Sequence, residues 1–258
     1  METSTATDVF NQSLNAPALS GEPPEVCTIS EQEVHVWTVE LTRTPVLIEA
    51  FSRDEHERAA RLDSEEMRGR FRSARSALRM ILARYLKLSP SSLVFGQTEF
   101  GKPFLINSEA QGLLFNLSYV GNLAVIAVAR NREVGVDIES LQPESVSMDV
   151  AAQCFSVAEI YTLTGLDEHA RTVAFLNCWT RKEAYTKARG EGRSVPWVQF
   201  DVSLAPGVRA AMLRNRIDKE EMSRWVFQDL QLPPGWVGAL AFESLPSQPR
   251  LSYFAFGW

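Results

Sequence analysis

The chain has 258 residues, of which 45% are hydrophobic and 22% are charged, and its formal net charge is −6. This balance is typical of a soluble globular protein with a sizeable core, and the negative charge disfavours a nucleic-acid binder. The longest wholly apolar run, Leu123 to Ala129, is far shorter than a membrane span. The three cysteines form no Cys-x-x-Cys motif and no secretory leader is found, which predicts a cytoplasmic protein without disulfides.

The N-terminal part of the chain predicts a tail, a strand and a long helix. Residues 1–30 are rich in Thr, Ser, Asn, Pro and Ala without periodicity, which predicts a flexible tail. Alternating apolar residues predict a strand over Val34–Leu41, and three- and four-residue apolar steps predict one helix over Asp54–Leu88. Nine arginines between Arg53 and Arg84 indicate either a solvated face or a phosphate site, because guanidinium groups donate paired hydrogen bonds to phosphate.

The remaining pattern repeats this order of elements. Short strands are predicted at 93–95, 104–106, 113–117, 124–130 and 134–139. Ser156 and Glu159 form a predicted capping box, and a second long helix is predicted over Arg171–Arg189, ending at Gly190. Four more strands are predicted at 200–204, 225–230, 236–243 and 251–256. The predicted fold class is therefore α+β, with an N-terminal half at 31–132 and a C-terminal half at 133–258.

The segment Val134–Glu139 carries two carboxylates on one face of a predicted strand. Side chains alternate along a strand, so Asp137 and Glu139 share one face while Val136 and Ile138 share the other. Neighbouring carboxylates repel each other unless a cation lies between them, and a hard ion with oxygen ligands such as Mg²⁺ fits. The alternative is an acidic sheet edge that faces solvent.

Two further segments carry polar groups whose chemistry is ambiguous on its own. Glu183 and Lys187 are four residues apart in the second long helix and share a face, which is typical of a surface ion pair. The segment Phe115–Asn122 indicates either a β-hairpin with Gly121 and Asn122 at its tip or a phosphate-contacting loop.

In their order, these segments resemble the Sfp-type (surfactin-synthetase-activating) 4′-phosphopantetheinyl transferases. The matching motifs are Gly101-Lys102-Pro103, Phe115-Asn116-Leu117-Ser118, Gly135-Val136-Asp137-Ile138-Glu139, Trp179 to Ala188 and Gly190-Glu191-Gly192. The resemblance implies two similar α/β halves related by a pseudo-twofold axis, with coenzyme A held in the cleft between them. It also implies an enzyme that transfers 4′-phosphopantetheine from coenzyme A to a serine of an apo acyl, peptidyl or polyketide carrier protein. The leaving product is 3′,5′-ADP. Two similar halves within one chain would suit a monomer.

The resemblance further implies roles for individual residues. Asp137, Glu139 and Glu183 are the implied Mg²⁺ ligands. Glu183 or a metal-held water takes the serine proton, and Lys187 steadies the phosphate charge. The implied contacts to coenzyme A are Arg79 at the 3′-phosphate, Lys102 near the adenine, and Pro103, Ser118, Tyr119, Lys182 and Lys187.

One position departs from the family pattern. Tyr119 stands where the family has a histidine, so that a phenolic hydroxyl replaces an imidazole as the phosphate donor. Val120, which follows it, offers no hydroxyl in place of the family's serine. A non-catalytic coenzyme A or carrier-protein binding module on the same fold is the alternative function.

Overall fold

The structure is a computed structural model that describes residues 25–142, 146–246 and 248–256. Residues 1–24 of the predicted tail lie outside the described residues. None of the helices in these ranges combines the length and the apolar character that crossing a membrane requires.

The first half of the chain builds one sheet and one long helix. Its elements are β1 (Glu33–Glu40), α1 (Arg53–Ala60), α2 (Glu65–Leu86), β2 (Phe95–Gln97), β3 (Pro103–Leu105), β4 (Leu113–Val120) and β5 (Leu123–Arg130). Strand β1 pairs antiparallel with β5, and β5 pairs antiparallel with β4. Strands β2 and β3 form a separate two-stranded sheet.

The second half of the chain builds a second sheet and a second long helix. Its elements are β6 (Val134–Ser140), α3 (Met148–Cys154), α4 (Val157–Thr164), α5 (Glu168–Arg189), β7 (Phe200–Val202), β8 (Met212–Asn215), α6 (Glu221–Arg224), β9 (Trp225–Asp229) and β10 (Trp236–Glu243). Strand β6 pairs antiparallel with β10, β10 pairs with β9, and β7 and β8 form a separate two-stranded sheet. The long helices α2 and α5 both have 22 residues.

The last strand crosses back to the first sheet. Strand β11 (Arg250–Phe256) pairs parallel with β1, which gives the first sheet the order β11-β1-β5-β4. The strand predicted at 251–256 thus lies in the sheet of the N-terminal half, although its position in the chain assigned it to the C-terminal half.

Four layers result, because the two sheets pack face to face between the two long helices. Alternate residues of β1 enter different cores: Trp37 packs with Leu78 of α2, whereas Val36 packs in a cluster with Val136 of the second sheet. On the far side of the second sheet, Phe175 of α5 shares a third cluster with Ala239 of β10. Burial of apolar surface in these three clusters is the main stabilising contribution.

The helix boundaries differ from the predicted ones because of local caps. The helix predicted over Asp54–Leu88 is two helices, since the Ser64 side chain accepts a hydrogen bond from the Met67 amide and starts α2 afresh. Similarly, α5 begins before the predicted Arg171, because the Asp167 side chain caps the amide of Ala170.

Candidate active site

Strand β6 presents its carboxylates to helix α5. Val136 and Ile138 lie in the cluster between the two sheets, and Asp137 points to the opposite face, where it pairs with Lys187 of α5. This arrangement confirms the predicted alternation along the strand. The acidic face is covered by a helix rather than open to solvent, so Asp137 is only 4% exposed.

Gly135 allows the helix to lie this close to the strand. A Cβ atom added to Gly135 would lie 2.1 Å from the carbonyl oxygen of Ala184 and 2.3 Å from the backbone nitrogen of Ala188. Only glycine therefore fits at this position without moving α5. The close packing sets Asp137 and Glu139 opposite Glu183 and Lys187.

A hydrogen-bond network holds the Asp137 carboxylate. Its Oδ1 atom accepts from Lys187 Nζ at 2.5 Å and from Ser118 Oγ at 2.9 Å. Its Oδ2 atom is buried and has no hydrogen-bond partner among the described residues. Burial raises the pKa of Asp137, and the charge of Lys187 with its hydrogen bond opposes that rise without cancelling it.

Strand β4 supports this network from the neighbouring sheet. The Asn116 side chain accepts a hydrogen bond from the Val136 amide at 2.9 Å, and Ser118 reaches Asp137 from the same strand. Strand β4 ends at a tight turn in which Gly121 has a φ of 55°. The hairpin interpretation of this segment is therefore confirmed, and Ser118 holds a carboxylate.

Glu139 lies in a strongly acidic setting. Burial, the negative charge of Asp137 and that of Glu183 raise the pKa of Glu139 to about 7, while Lys187 and a hydrogen bond from Trp179 oppose the rise. The charges of the three carboxylates therefore act on one another, although the groups do not converge on a single point. Their mutual repulsion favours a cation at this place.

The donor chemistry of this cluster fits a hard divalent cation. All three groups offer carboxylate oxygens, and the partnerless Asp137 Oδ2 atom is a buried acceptor of the kind that a metal ion satisfies. In the described part of the chain, however, no three His, Cys, Asp or Glu side chains lie close enough to hold a metal ion. The Lys187 ammonium, bound to Asp137, supplies the positive charge instead.

A first cavity of about 780 Å³ opens beside these groups. Glu183 and Lys187 line it from helix α5, and the aromatic side chains of Trp179, Trp197 and Phe100 line it as well. Its mixture of charged and aromatic groups suits a ligand with a phosphate and a less polar arm.

A second cavity of about 560 Å³ lies between α1, α2 and the small β2–β3 sheet. Arg58, Arg61 and Arg75 line it, and Pro103 lines both cavities. Burial raises the pKa of the Tyr119 hydroxyl, and the charges of Arg58 and Arg75 oppose that rise.

Two predicted contacts to coenzyme A lie in the protein interior. Arg79 is 1% exposed, and its guanidinium binds the Glu55 carboxylate at 2.5 Å. Lys182 is wholly buried, and its ammonium donates to the carbonyls of Trp197 and Phe200. Neither side chain is among those that line the two cavities, and the contact of Arg79 and Lys182 with coenzyme A stays a prediction.

Three of the other predicted contacts, Lys102, Pro103 and Lys187, line the first cavity. Lys102 lines the first cavity, while its ammonium donates to Glu133 at 2.6 Å and to the Ala188 carbonyl at 2.7 Å. Lys102 directly precedes β3, and its hydrogen bond to Ala188 connects this side of the cavity to the C-terminal end of α5. Tyr119 is 37% exposed near the end of β4.

The sequence did not single out several groups that the fold brings to these cavities. Arg58 and Arg75 belong to the arginine cluster, but the pattern did not show which of its nine members face a cavity. Trp197 lies beyond the recognised motifs, and no signal in the sequence marks it as part of a cavity wall.

Comparison with known proteins finds sequence similarity to the family that the motifs resemble. The family model of the 4′-phosphopantetheinyl transferase superfamily matches residues 133–241. The chain is 33% identical over 238 residues to the 4′-phosphopantetheinyl transferase HetI of Nostoc sp., a match that covers 90% of this chain and 97% of that protein. It is 32% identical over 127 residues to the 4′-phosphopantetheinyl transferase Sfp of Bacillus subtilis, covering 49% of this chain and 54% of that protein.

These matches define the class of protein as a transferase. The region that the family model matches contains strand β6, which carries the carboxylates, and the long helix α5. The chain belongs to the 4′-phosphopantetheinyl transferase superfamily.

Proposed function

We propose that the chain transfers 4′-phosphopantetheine from coenzyme A to a serine hydroxyl of an apo acyl, peptidyl or polyketide carrier protein and releases 3′,5′-ADP. The observation that carries this proposal is the acidic cluster of Asp137, Glu139 and Glu183 beside Lys187, at the edge of a cavity that suits a phosphate-bearing ligand. Membership of the superfamily supports the same reaction.

Asp137, Glu139 and Glu183 are the residues that would hold Mg²⁺. Bound there, the ion would supply positive charge to neutralise a pyrophosphate and help to orient it for attack. Glu183 lines the cavity and is suited to accept the proton of the attacking serine. Lys187 carries its ammonium beside Asp137 and is suited to bind the phosphate oxygens.

The two cavities share Pro103 as a lining residue. In this proposal an extended coenzyme A reaches from the arginines of the second cavity past Pro103 to Glu183 in the first. In this proposal Arg58 and Arg75, with the Tyr119 hydroxyl, bind the phosphates of the nucleotide end. Lys102 borders the same path from the first cavity.

The proposed architecture is two similar halves about a pseudo-twofold axis, with the active site in the cleft between them. Its support is the repeated order of strand, 22-residue helix, two-stranded sheet and antiparallel strand pair. The proposed boundaries are 31–132 and 133–258, with β11 exchanged into the first sheet. One chain then supplies both walls of the cleft, which supports a monomer.

The proposed carrier surface is the segment that follows β6. Helix α4 exposes two apolar side chains one turn apart, Val157 at 85% and Tyr161 at 81%. Such exposure is unusual for large apolar groups and suits contact with a partner protein.

The proposed location is the cytoplasm, which agrees with the free thiols of Cys27, Cys154 and Cys178.

The reaction is tested by incubating the purified protein with an apo carrier protein, coenzyme A and Mg²⁺, and by measuring the carrier mass. We expect the gain of one phosphopantetheine group, its loss after chelation of divalent ions, and its recovery on adding Mg²⁺ back. Glu183→Gln is the negative control, and with this variant the carrier protein should gain no mass. Coenzyme A binding without a mass gain on acyl, peptidyl and polyketide carriers would instead identify a non-catalytic binding module.

Arg58→Ala is expected to weaken the binding of coenzyme A about tenfold or more, because a lost charge-assisted contact costs about 1.5–3 kcal/mol. The affinity for 3′-dephospho-coenzyme A should change little, since that ligand lacks the phosphate. Titration calorimetry measures both affinities. Arg53→Ala is the control, because the Arg53 side chain is 90% exposed and pairs with Glu57. If Arg58→Ala weakened the binding of both ligands equally, Arg58 would not contact the 3′-phosphate.

A further inference from the structure

Helix α1 begins with a capping box whose glutamate is turned into the protein. Glu55 completes the box with Ser52 and is only 5% exposed. The Arg79 Nη2 atom lies 2.5 Å from Glu55 Oε2, and Arg75 binds the other carboxylate oxygen. Through Nη1, Arg79 also donates to the carbonyls of Pro90 at 2.8 Å and Leu93 at 3.0 Å.

Helix α4 begins with a second capping box of the same kind. Glu159 completes the box with Ser156 and is 1% exposed. The Lys182 ammonium lies 3.0 Å from Glu159 Oε2. It also donates to the carbonyls of Trp197 and Phe200, each at 2.7 Å.

These two clusters occupy equivalent places in the two halves. Arg79 and Lys182 are each the fifteenth residue of a 22-residue helix. In both halves the cation binds a capping-box glutamate and two carbonyls that are three residues apart. Each cation also lies over an aromatic ring of the first strand of a small sheet, Phe95 at 5.0 Å and Phe200 at 4.1 Å. We name them the N-terminal clamp and the C-terminal clamp.

Each clamp holds the chain segment that forms the wall of one cavity. Next to the carbonyls bound by Arg79, Phe95 and Gly96 line the second cavity. At the carbonyls bound by Lys182, Trp197 and Val198 line the first cavity. The C-terminal clamp also fixes α5 at Lys182, directly before Glu183.

Buried ion pairs of this kind are poor sources of stability, because both charges lose their hydration. They do impose one arrangement, since removing either partner leaves the other charge buried without compensation. A segment tied by such a cation therefore has little freedom to move. This property suits a cavity wall that must keep its shape.

We propose that the two clamps are equivalent devices, and that the C-terminal clamp makes Lys182 and Glu159 positioning residues of the active site. They set the Trp197 wall and the placement of Glu183, without touching the ligand. The activity readout of this inference rests on the proposed transfer reaction, the binding readout rests on coenzyme A as the ligand, and the stability readout rests on neither.

A double-mutant cycle tests the coupling of the two residues. Lys182→Met leaves the Glu159 charge buried and should lower the melting temperature by about 10 °C. Glu159→Gln should lower it less, and the double variant should be more stable than the sum of the two single changes predicts. If Lys182→Met does not fold, comparison of the double variant with Glu159→Gln still measures the effect of Lys182. If the losses of stability in the two single variants simply added in the double variant, Lys182 and Glu159 would not be coupled and the proposal would be overturned.

Whether each variant raises or lowers the affinity for coenzyme A distinguishes a positioning role of Lys182 from direct contact with the ligand. If Lys182 bound phosphate, Lys182→Met would weaken coenzyme A binding and Glu159→Gln, which removes a negative charge, would strengthen it. The clamp predicts that both variants weaken binding and alter the change in tryptophan fluorescence that coenzyme A causes. Opposite effects on affinity, measured by titration calorimetry, would overturn the proposal even if the wild-type protein modified no carrier.

The N-terminal clamp supplies an internal control for activity. Arg79→Met should lower the melting temperature to a similar extent and raise the KM for coenzyme A, while kcat changes less than about twofold. Lys182→Met and Glu159→Gln should instead lower kcat by about tenfold or more, because they displace Glu183. Equal kcat losses from both clamps would mean that the clamps act on stability alone.

Discussion

Asp137→Asn is expected to lower the transfer rate by about a hundredfold or more while leaving the melting temperature unchanged or higher. The asparagine keeps the shape of the side chain but removes the charge that would neutralise a bound cation. Burial raises the pKa of Asp137, so the ionised carboxylate is less favourable in the folded protein than in the unfolded chain. The Lys187 side chain is 28% exposed, so water can solvate its ammonium when the partner charge is lost.

The linkage between protonation and stability has a definite sign here. A folded pKa above the unfolded value contributes stability that is present below the unfolded pKa and is lost as the pH rises through the folded pKa. At neutral pH the Asp137 charge is therefore a cost, and the variant no longer carries it. Asp63→Asn, at an exposed residue between α1 and α2, is the matched control. A parent-like rate in Asp137→Asn would exclude the acidic cluster from the reaction.

The alternation of β6 was predictable because it depends on neighbours in the chain. A strand places successive side chains on opposite faces whatever its partners are, so Asp137 and Ile138 had to separate. What covers the acidic face is not local. Helix α5 reaches it only through the fold, and the contact of Lys187 with Asp137 joins residues 50 positions apart.

The arginine cluster shows why composition alone does not reveal which arginines line a cavity. Arg75 and Arg79 share a helix face, and both reach Glu55 from the preceding helix. The sequence contained the Ser52–Glu55 capping box, which is the signal of a short helix before α2. It did not reveal that Glu55 turns inward, because the inward direction is set by how α1 packs against α2. The buried acid therefore holds the Arg79 guanidinium in the protein interior.

The final strand was predicted as an element but not as a neighbour of β1. Its apolar pattern is the same in either sheet, and the parallel pairing of β11 with β1 joins the two ends of the described chain. Such a pairing is fixed by which sheet edge is left open. The edge beside β1 is open because β1 uses its other side for β5.

Gly135→Ala is expected to lower kcat by about a hundredfold and to destabilise the protein by about 1–3 kcal/mol or more. The added methyl group would meet the Ala184 carbonyl oxygen and the Ala188 nitrogen, which are helix backbone atoms and cannot rotate away. Helix α5 must therefore move off β6 and carry Glu183 and Lys187 away from Asp137. Even a displacement of about 1 Å is costly for groups that must act together on one phosphate.

Gly69→Ala is the matched control for this change. Gly69 lies within helix α2, and no atom lies within 4 Å of the position that its Cβ would take. Alanine there should stabilise the helix by up to about 1 kcal/mol and leave the transfer rate unchanged. Thermal unfolding and the carrier mass assay measure both variants. If Gly135→Ala kept the parent rate, the close approach of α5 to β6 would not be what assembles the site, and the role given to Lys187 would fall with it.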